Sequence, residues 1–252
     1  MEIEQYDIMA RAEDRHWWYL GLRDALQTCL TQSRVHLPPN PVVLDVGCGT
    51  GGNLRFLSTL LQPAYLAGFD LNERALQYAR CKCPEADIYI NDIRHPRLHR
   101  DNFDLIVICD VLYTSGIANS YSGLQTLVNA LSPGGVLIVH VPAFNWLVSA
   151  HDAAVHTIER YRVAQLRRLL TDLQLETSLI SYRLCCLLPL VIMKRLPSLV
   201  TRNYRTERSE LAQPHPLFNR LLFRILRFEN TLIARGIKLP FGSSILSVAT
   251  KV

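Results

Sequence analysis

Three carboxylates arranged around a run of glycines are the residues in this chain best placed to hold a nucleotide-type ligand. Asp45 stands two residues before Gly47, and Gly49 and Gly51 follow at every second position. Without a Cβ, the backbone of such a loop can approach a ligand closely. Gly47, Gly49 and Gly52 also satisfy G-x-G-x-x-G, a dinucleotide fingerprint that discriminates poorly by itself. Asp45 argues against a pyrophosphate at the loop, because like charges repel. It suits a ligand with an ammonium or sulfonium group there. Asp70, in Gly68-Phe69-Asp70, is placed to accept both hydroxyls of a ribose. Asp92, in Asn91-Asp92-Ile93, can hold an adenine amino group. Any one of these acids alone reads equally well as a strand-end or N-cap residue. Three in succession do not.

A second cluster is His151, Asp152 and His156, with Glu159 close behind. On a helix over 149–157 the two histidines would lie about 140° apart and would not share a face. A metal pair wants i, i+4 spacing, so no metal site is expected. One histidine, His151 ahead of His156, is instead the candidate general base, with Asp152 or Glu159 setting its tautomer and pKa. Capping or packing is the alternative for the same residues.

The elements that must position these groups alternate along the chain. Short apolar runs predict strands at 42–46, 65–69, 87–90, 104–109, 135–141 and 175–182, and 243–251 alternates as a last strand. Helical periodicity predicts helices at 51–61, 72–81, 121–131 and 162–173. Such alternation gives a doubly wound α/β sheet, with its ligand site at the carboxyl ends of the strands near the switch point.

Residues 42–141 resemble the class I S-adenosylmethionine-dependent methyltransferases. The resemblance rests on the loop from Asp45 to Gly51, Asp70, Asp92-Ile93, the run Phe103-Asp104-Leu-Ile-Val-Ile-Cys-Asp110-Val-Leu, and Leu131-Ser-Pro-Gly-Gly135. It implies a Rossmann-like sheet of seven strands with the last one antiparallel, and S-adenosyl-L-methionine as cofactor. By the same resemblance Asp45, Gly47, Cys48, Gly49 and Gly51 flank the methionine part. Asp70 and Leu71 meet the ribose, Asp92 and Ile93 frame adenine, and Asp110 closes the site at strand four. One departure is visible, since Tyr113-Thr114 stands where many members carry Glu-His. On this reading the histidine base would deprotonate a hydroxyl acceptor, because methyl transfer is an in-line displacement that the enzyme chiefly aligns.

Residues 184–240 form an insert between strands six and seven, flanked by a core at 41–183 and 241–252. Residues 1–40 form a helical segment packed on that core. Residues 183–238 carry 11 Lys or Arg against 3 Asp or Glu, while the whole chain is only +5, so the basic character is local. The apolar run 184–193 would span about 15 Å as a helix, half of a bilayer core. It can lie in a membrane interface but cannot cross. Over 217–235, Phe218, Leu221, Leu222, Ile225, Phe228, Leu232 and Ile233 predict an amphipathic helix. Arg220, Arg224 and Arg227 form its basic stripe. The two readings are a lid over the site and an anionic membrane surface. A basic stripe could also track nucleic acid, but the charge is modest and no recognised module is present, so nucleic acid is disfavoured.

His16-Trp17-Trp18-Tyr19, Gly21, Arg23 and the His151–Asp152–His156 segment resemble a narrower group of bacterial methyltransferases. That resemblance favours a small-molecule, lipid-linked or glycan-like acceptor. Trp17 and Trp18 are candidates for an aromatic wall over it, or for packing of the N-terminal helix.

Composition fits a cytoplasmic protein, with a peripheral membrane position as the variant. Apolar residues make up 49% of the chain, no apolar run reaches spanning length, and residues 1–14 carry no signal pattern. Seven cysteines without a C-x-x-C pair argue against a disulfide framework. Two other classes remain: a protein that binds S-adenosylmethionine or S-adenosylhomocysteine without turnover, and an NAD-type dehydrogenase.

Overall fold

The computed structural model describes residues 3–31, 35–148, 152, 155–193 and 214–252. Uninterrupted apolar runs place β1 (Val42–Val46), β2 (Tyr65–Asp70), β3 (Asp87–Ile90) and β4 (Phe103–Cys109) in the interior of one sheet. They are joined by β5 (Leu131–Pro142), β6 (Leu175–Arg183) and β7 (Ser244–Lys251). The spatial order is β3-β2-β1-β4-β5-β7-β6. β7 runs antiparallel to both β5 and β6, while β1 to β5 pair in parallel. The doubly wound seven-stranded sheet with an antiparallel last strand is therefore present, and order reverses between β1 and β4.

Alternate residues of each strand face opposite layers. Leu44, Val46, Ile106 and Ile108 pack toward α6 (Ile117–Asn129) and α7 (Val163–Asp172). Val43, Leu105, Val107 and Ile138 pack toward α2 (Trp17–Leu30) and α3 (Gly52–Leu61). Between these lie α4 (Glu73–Lys82) and the short α5 (Leu112–Ser115). The N-terminal α1 (Ile3–Ala12) lies over the carboxyl ends of the strands, where Tyr6 and Met9 roof the cavity.

Two boundaries differ from the sequence-based expectation. β5 starts at Leu131 rather than at 135, because Leu131 pairs with Phe103 before Val136 pairs with Leu105. Ser132-Pro133-Gly134-Gly135 bulge out between those pairs, so the turn signal sits inside a strand. α6 starts at Ile117 rather than 121, since Gly116 at φ +74° already breaks the chain after α5.

Part of the run 184–193 is turned into the protein. Leu184 and Leu187 are buried against Leu222 and Leu226, with Trp17 and Trp18 packed on the same cluster. The helix expected at 217–235 is present as α8 (Pro216–Ala234), started by proline at its first turn. Its apolar residues divide between two faces. Leu222, Leu226 and Ile233 point inward, whereas Leu217, Phe218, Leu221 and Phe228 are exposed. Among the described residues no helix is long and apolar enough to cross a membrane.

Candidate active site at the carboxyl ends of the strands

A cavity of about 680 Å³ opens where the strands end, within the size range of small-molecule sites. The turn after β1 forms its floor. Gly47, Gly49 and Gly51 all have positive φ, at +67°, +52° and +86°. At all three the missing Cβ makes room for protein atoms, at Gly49 for the end of the Met9 side chain. A Cβ on Gly51 would lie 2.7 Å from Ala79 Cα in α4, and one on Gly47 would collide with Val111. The glycines thus let α4 and the end of β4 close on the loop, while the N–H groups of Cys48, Gly49 and Gly51 are taken by Phe69 O, Asp70 Oδ2 and Cys48 O.

The cavity has two halves. On the β2–β3 side, Asp70 accepts from Gly49 N at 3.1 Å and from Asn72 N at 3.0 Å, which locks the carboxylate beside the loop. Burial pushes its pKa up, and these backbone hydrogen bonds pull it back. Leu71 is exposed next to it and lines the cavity. Asp92 and Ile93 follow at the end of β3. Arg94 grips both oxygens of Asp92 and holds its carboxyl below the usual range. Cys48 also lines this half, and burial pushes its thiol up.

Asp45 is placed differently from the expectation. It is 1% exposed, stands behind the glycine loop and does not line the cavity. Its Oδ2 has no hydrogen-bond partner. Burial, and then the charges of Asp70 and Glu13, push its pKa up to about 8. Asp45 therefore does not contact the cavity.

On the β4–β5 side, Asp110 has a left-handed backbone at φ +56° and turns its carboxylate to His140. The Asp110 Oδ2 to His140 Nδ1 distance is 2.9 Å. Tyr113 and Thr114 face the same half. Trp17, Trp18, Leu184 and Val191 complete its wall, so the aromatic pair serves both the cavity and the packing of the insert.

The expected histidine base gains no support from this geometry. His156 is exposed, at φ +57°, and outside the cavity wall. His151 lies outside the described residues, as does most of the helix expected around it. Asp152 does line the cavity, but both of its oxygens are taken by the buried Arg160. Glu159 lies away from the cavity wall. No group of three His, Cys, Asp or Glu that could hold a metal occurs among the described residues.

Three residues here were not singled out from the sequence. His140 was readable as the lone polar residue in the apolar run of β5. Arg183 looked only like the edge of an apolar segment. Glu13 carried no signal: it reaches from the α1–α2 turn to accept from Thr50 Oγ1 at 2.7 Å and to pair with Lys82, which clamps the N-terminal helices to the glycine loop.

Residues 43–135 match the methyltransferase domain family.

That span contains the glycine loop, Asp70, Asp92 and Asp110. Trans-aconitate 2-methyltransferase of Variovorax paradoxus is 32% identical over 110 residues, covering 44% of this chain and 42% of that protein. The biotin biosynthesis bifunctional protein BioCD of Bordetella avium is 29% identical over 163 residues, covering 64% of this chain and 34% of that protein. The matched region thus spans between a third and a half of these curated relatives. Among solved structures, one chain of the complex between the Haloferax volcanii Trm112 methyltransferase activator and the putative methyltransferase superposes with a TM-score of 0.61 at 18% identity. That match covers 98% of this chain and 93% of that one. Geranyl diphosphate C-methyltransferase of Streptomyces coelicolor, solved with S-adenosyl-L-homocysteine, superposes with a TM-score of 0.54 at 15% identity, covering 90% and 76%. At such identities the likeness establishes the fold. The N-terminal His-Trp-Trp-Tyr segment lies outside the matched domain.

Proposed function

We propose that this protein is an S-adenosyl-L-methionine-dependent methyltransferase acting on a small acceptor with an apolar body. The observation that carries this reading is the two-sided cavity around the glycine loop, with Asp70, Asp92 and Ile93 on one side and Asp110 on the other. The donor fits the residues present. Asp70 is anchored at the loop and keeps lone pairs for ribose hydroxyls. Ile93 and the Arg94-held Asp92 frame adenine, and Gly47, Cys48 and Gly49 meet the methionine part with backbone groups. Asp70 supplies negative potential beneath a cationic donor, and the donor's charge favours ionisation of the buried Asp45. The bound donor supplies an electrophilic methyl group, and the chain's own task is to align an acceptor with it and exclude water.

Calorimetric titration with S-adenosyl-L-homocysteine and with NAD tests the reading. Binding of the first and not the second is expected, and Asp70→Ala should weaken it by at least about tenfold, the loss of one or two hydrogen bonds to a charged group. NAD binding without S-adenosyl-L-homocysteine binding would overturn it in favour of a dehydrogenase. A labelled methyl-donor assay on lipid and soluble extracts separates turnover from binding alone.

The acceptor half favours a lipid-linked acceptor over a bare sugar, since Trp17, Trp18, Leu184 and Val191 form its wall. The outward face of α8 supports a position at an anionic membrane surface. Leu217, Leu221 and Phe228 are exposed there with Arg224 among them and Arg220 and Arg227 on one flank.

A further inference from the structure

The β4–β5 half of the cavity contains a buried polar chain that the donor does not explain. Arg183, at the end of β6, is 2% exposed. Its Nη1 lies 3.1 Å from His140 Nε2, its Nη2 donates to Gly21 O at 2.9 Å, and its Nε donates to Asn230 Oδ1 at 3.3 Å. Glu229, buried on α8, adds its charge to the same surroundings. A guanidinium has only hydrogens to give, so His140 Nε2 presents its lone pair to Arg183. The ring proton is then on Nδ1, aimed at Asp110 Oδ2. Asp110 N donates to His140 O at 2.9 Å as well, so backbone and side chain both tie the two residues. The left-handed backbone of Asp110 is a strain that a residue placed for function can carry.

The other carboxylate oxygen of Asp110 has no hydrogen-bond donor among the described residues, and the side chain borders the cavity. Ser244 lies in the same wall, across the β7 pairings from Pro142 and Arg183. It is 5% exposed, and its Oγ has no partner. A buried hydroxyl without a partner and a carboxylate oxygen open to the cavity thus lie beside an apolar wall, on the half of the sheet away from Asp70 and Asp92. This arrangement calls for a ligand with one hydrogen-bond-donating head on an apolar body.

We propose that Asp110 holds the acceptor's nucleophilic head, a hydroxyl or an amine, and receives its proton, while His140 and Arg183 are positioning residues that fix the carboxylate. The inference rests on the methyl-transfer reading and names the substrate class for it. In the transfer, the acceptor's lone pair forms the bond to the methyl carbon as the carbon–sulfur bond breaks onto sulfur, and the acceptor's proton passes to Asp110. α8 and α2 complete the chain through Asn230 and Gly21, so the insert and the N-terminal helices build the acceptor half together.

The test uses the full chain saturated with S-adenosyl-L-homocysteine, titrated with octylamine, 1-octanol and octanoate. Octylamine and octanol should bind, with octanoate at least about tenfold weaker because its charge opposes that of Asp110. In Asp110→Asn that gap should close with S-adenosyl-L-homocysteine affinity retained. A binding difference between amine and alcohol in the parent protein identifies which head the site takes. Equal binding of octanoate in the parent protein, or an undiminished gap in Asp110→Asn, overturns the proposal. A parent protein that fails to bind S-adenosyl-L-homocysteine fails the methyl-donor reading instead, and the two failures are distinct. Nitrogen-15 NMR of labelled histidine gives a readout independent of ligand. His140 should show the Nδ1-protonated tautomer, and Arg183→Gln should abolish that signature. A His140 protonated on Nε2 in the parent protein would remove the positioning chain.

Discussion

Arg160 holds Asp152 through both carboxylate oxygens, Nε to Oδ1 at 2.9 Å and Nη2 to Oδ2 at 3.1 Å, with each side chain about 5% exposed. Arg160 also donates to Ala143 O at 2.9 Å, which fixes the chain just after β5 against the segment that follows. Removing one member leaves a buried charge without its partner. Asp152→Ala is therefore expected to lower stability by about 3–5 kcal/mol. The paired change Asp152→Leu with Arg160→Met should recover much of that loss. Chemical denaturation checks both, and a single variant as stable as the parent would show that the pair contributes nothing.

Gly51 is set by backbone geometry and by α4 together. Its φ is +86°, and a Cβ would stand 2.7 Å from Ala79 Cα. Gly51→Ala should cost about 1–3 kcal/mol from overpacking, with further strain from the left-handed backbone. Thermal unfolding measures it, and the effect should persist in the absence of any ligand. Destabilisation seen only with S-adenosyl-L-homocysteine present would mean that the glycine serves the ligand instead.

Asp45 links stability to pH. Its folded pKa of about 8 lies above the unfolded value, so the folded state binds the extra proton. Stability is then expected to fall as pH rises from about 4 to about 8, and to level off above that. Asp45→Asn should flatten this dependence and be more stable than the parent at pH 8. A cationic donor near the loop stabilises the ionised form, so binding near pH 7 should release a proton. Calorimetry in buffers of different ionisation enthalpy detects that release, and its absence would place the cation elsewhere.

The outward face of α8 predicts salt-sensitive membrane binding. Vesicles containing phosphatidylglycerol should co-sediment the protein at low salt, with binding reduced at high salt and with phosphatidylcholine alone. Leu221→Glu with Phe228→Glu should abolish it without unfolding, since both side chains are exposed. No binding to anionic vesicles at low salt would remove the membrane reading.

Much of this fold was legible because its signals are local. Apolar runs bounded by turn residues place β1 to β4 within a residue or so. The spacing of Gly47, Gly49, Asp70 and Asp92 pointed to residues that line one side of the cavity, whereas Asp45 lies buried behind the loop. The start of β5 is not legible in the sequence, because Ser132-Pro133-Gly134-Gly135 is a turn signal and only pairing with β4 extends the strand past it. The periodicity of α8 showed that its apolar residues cover a broad arc. It could not show that Leu222 and Leu226 meet α2 while Leu221 and Phe228 meet solvent, because that depends on which surface the helix lands on.

The sequence by itself determined the sheet, the glycine turn and the carboxylates at the ends of β2 and β3, since each follows from neighbours a few residues apart. Tertiary structure decided that Asp45 is buried behind the loop, and that Arg160 occupies Asp152. It also joined Asp110, His140 and Arg183, which are brought together by strands far apart in the chain. Desolvation and ion pairing act through space, and a residue's pKa and partners are set by whatever the fold packs around it.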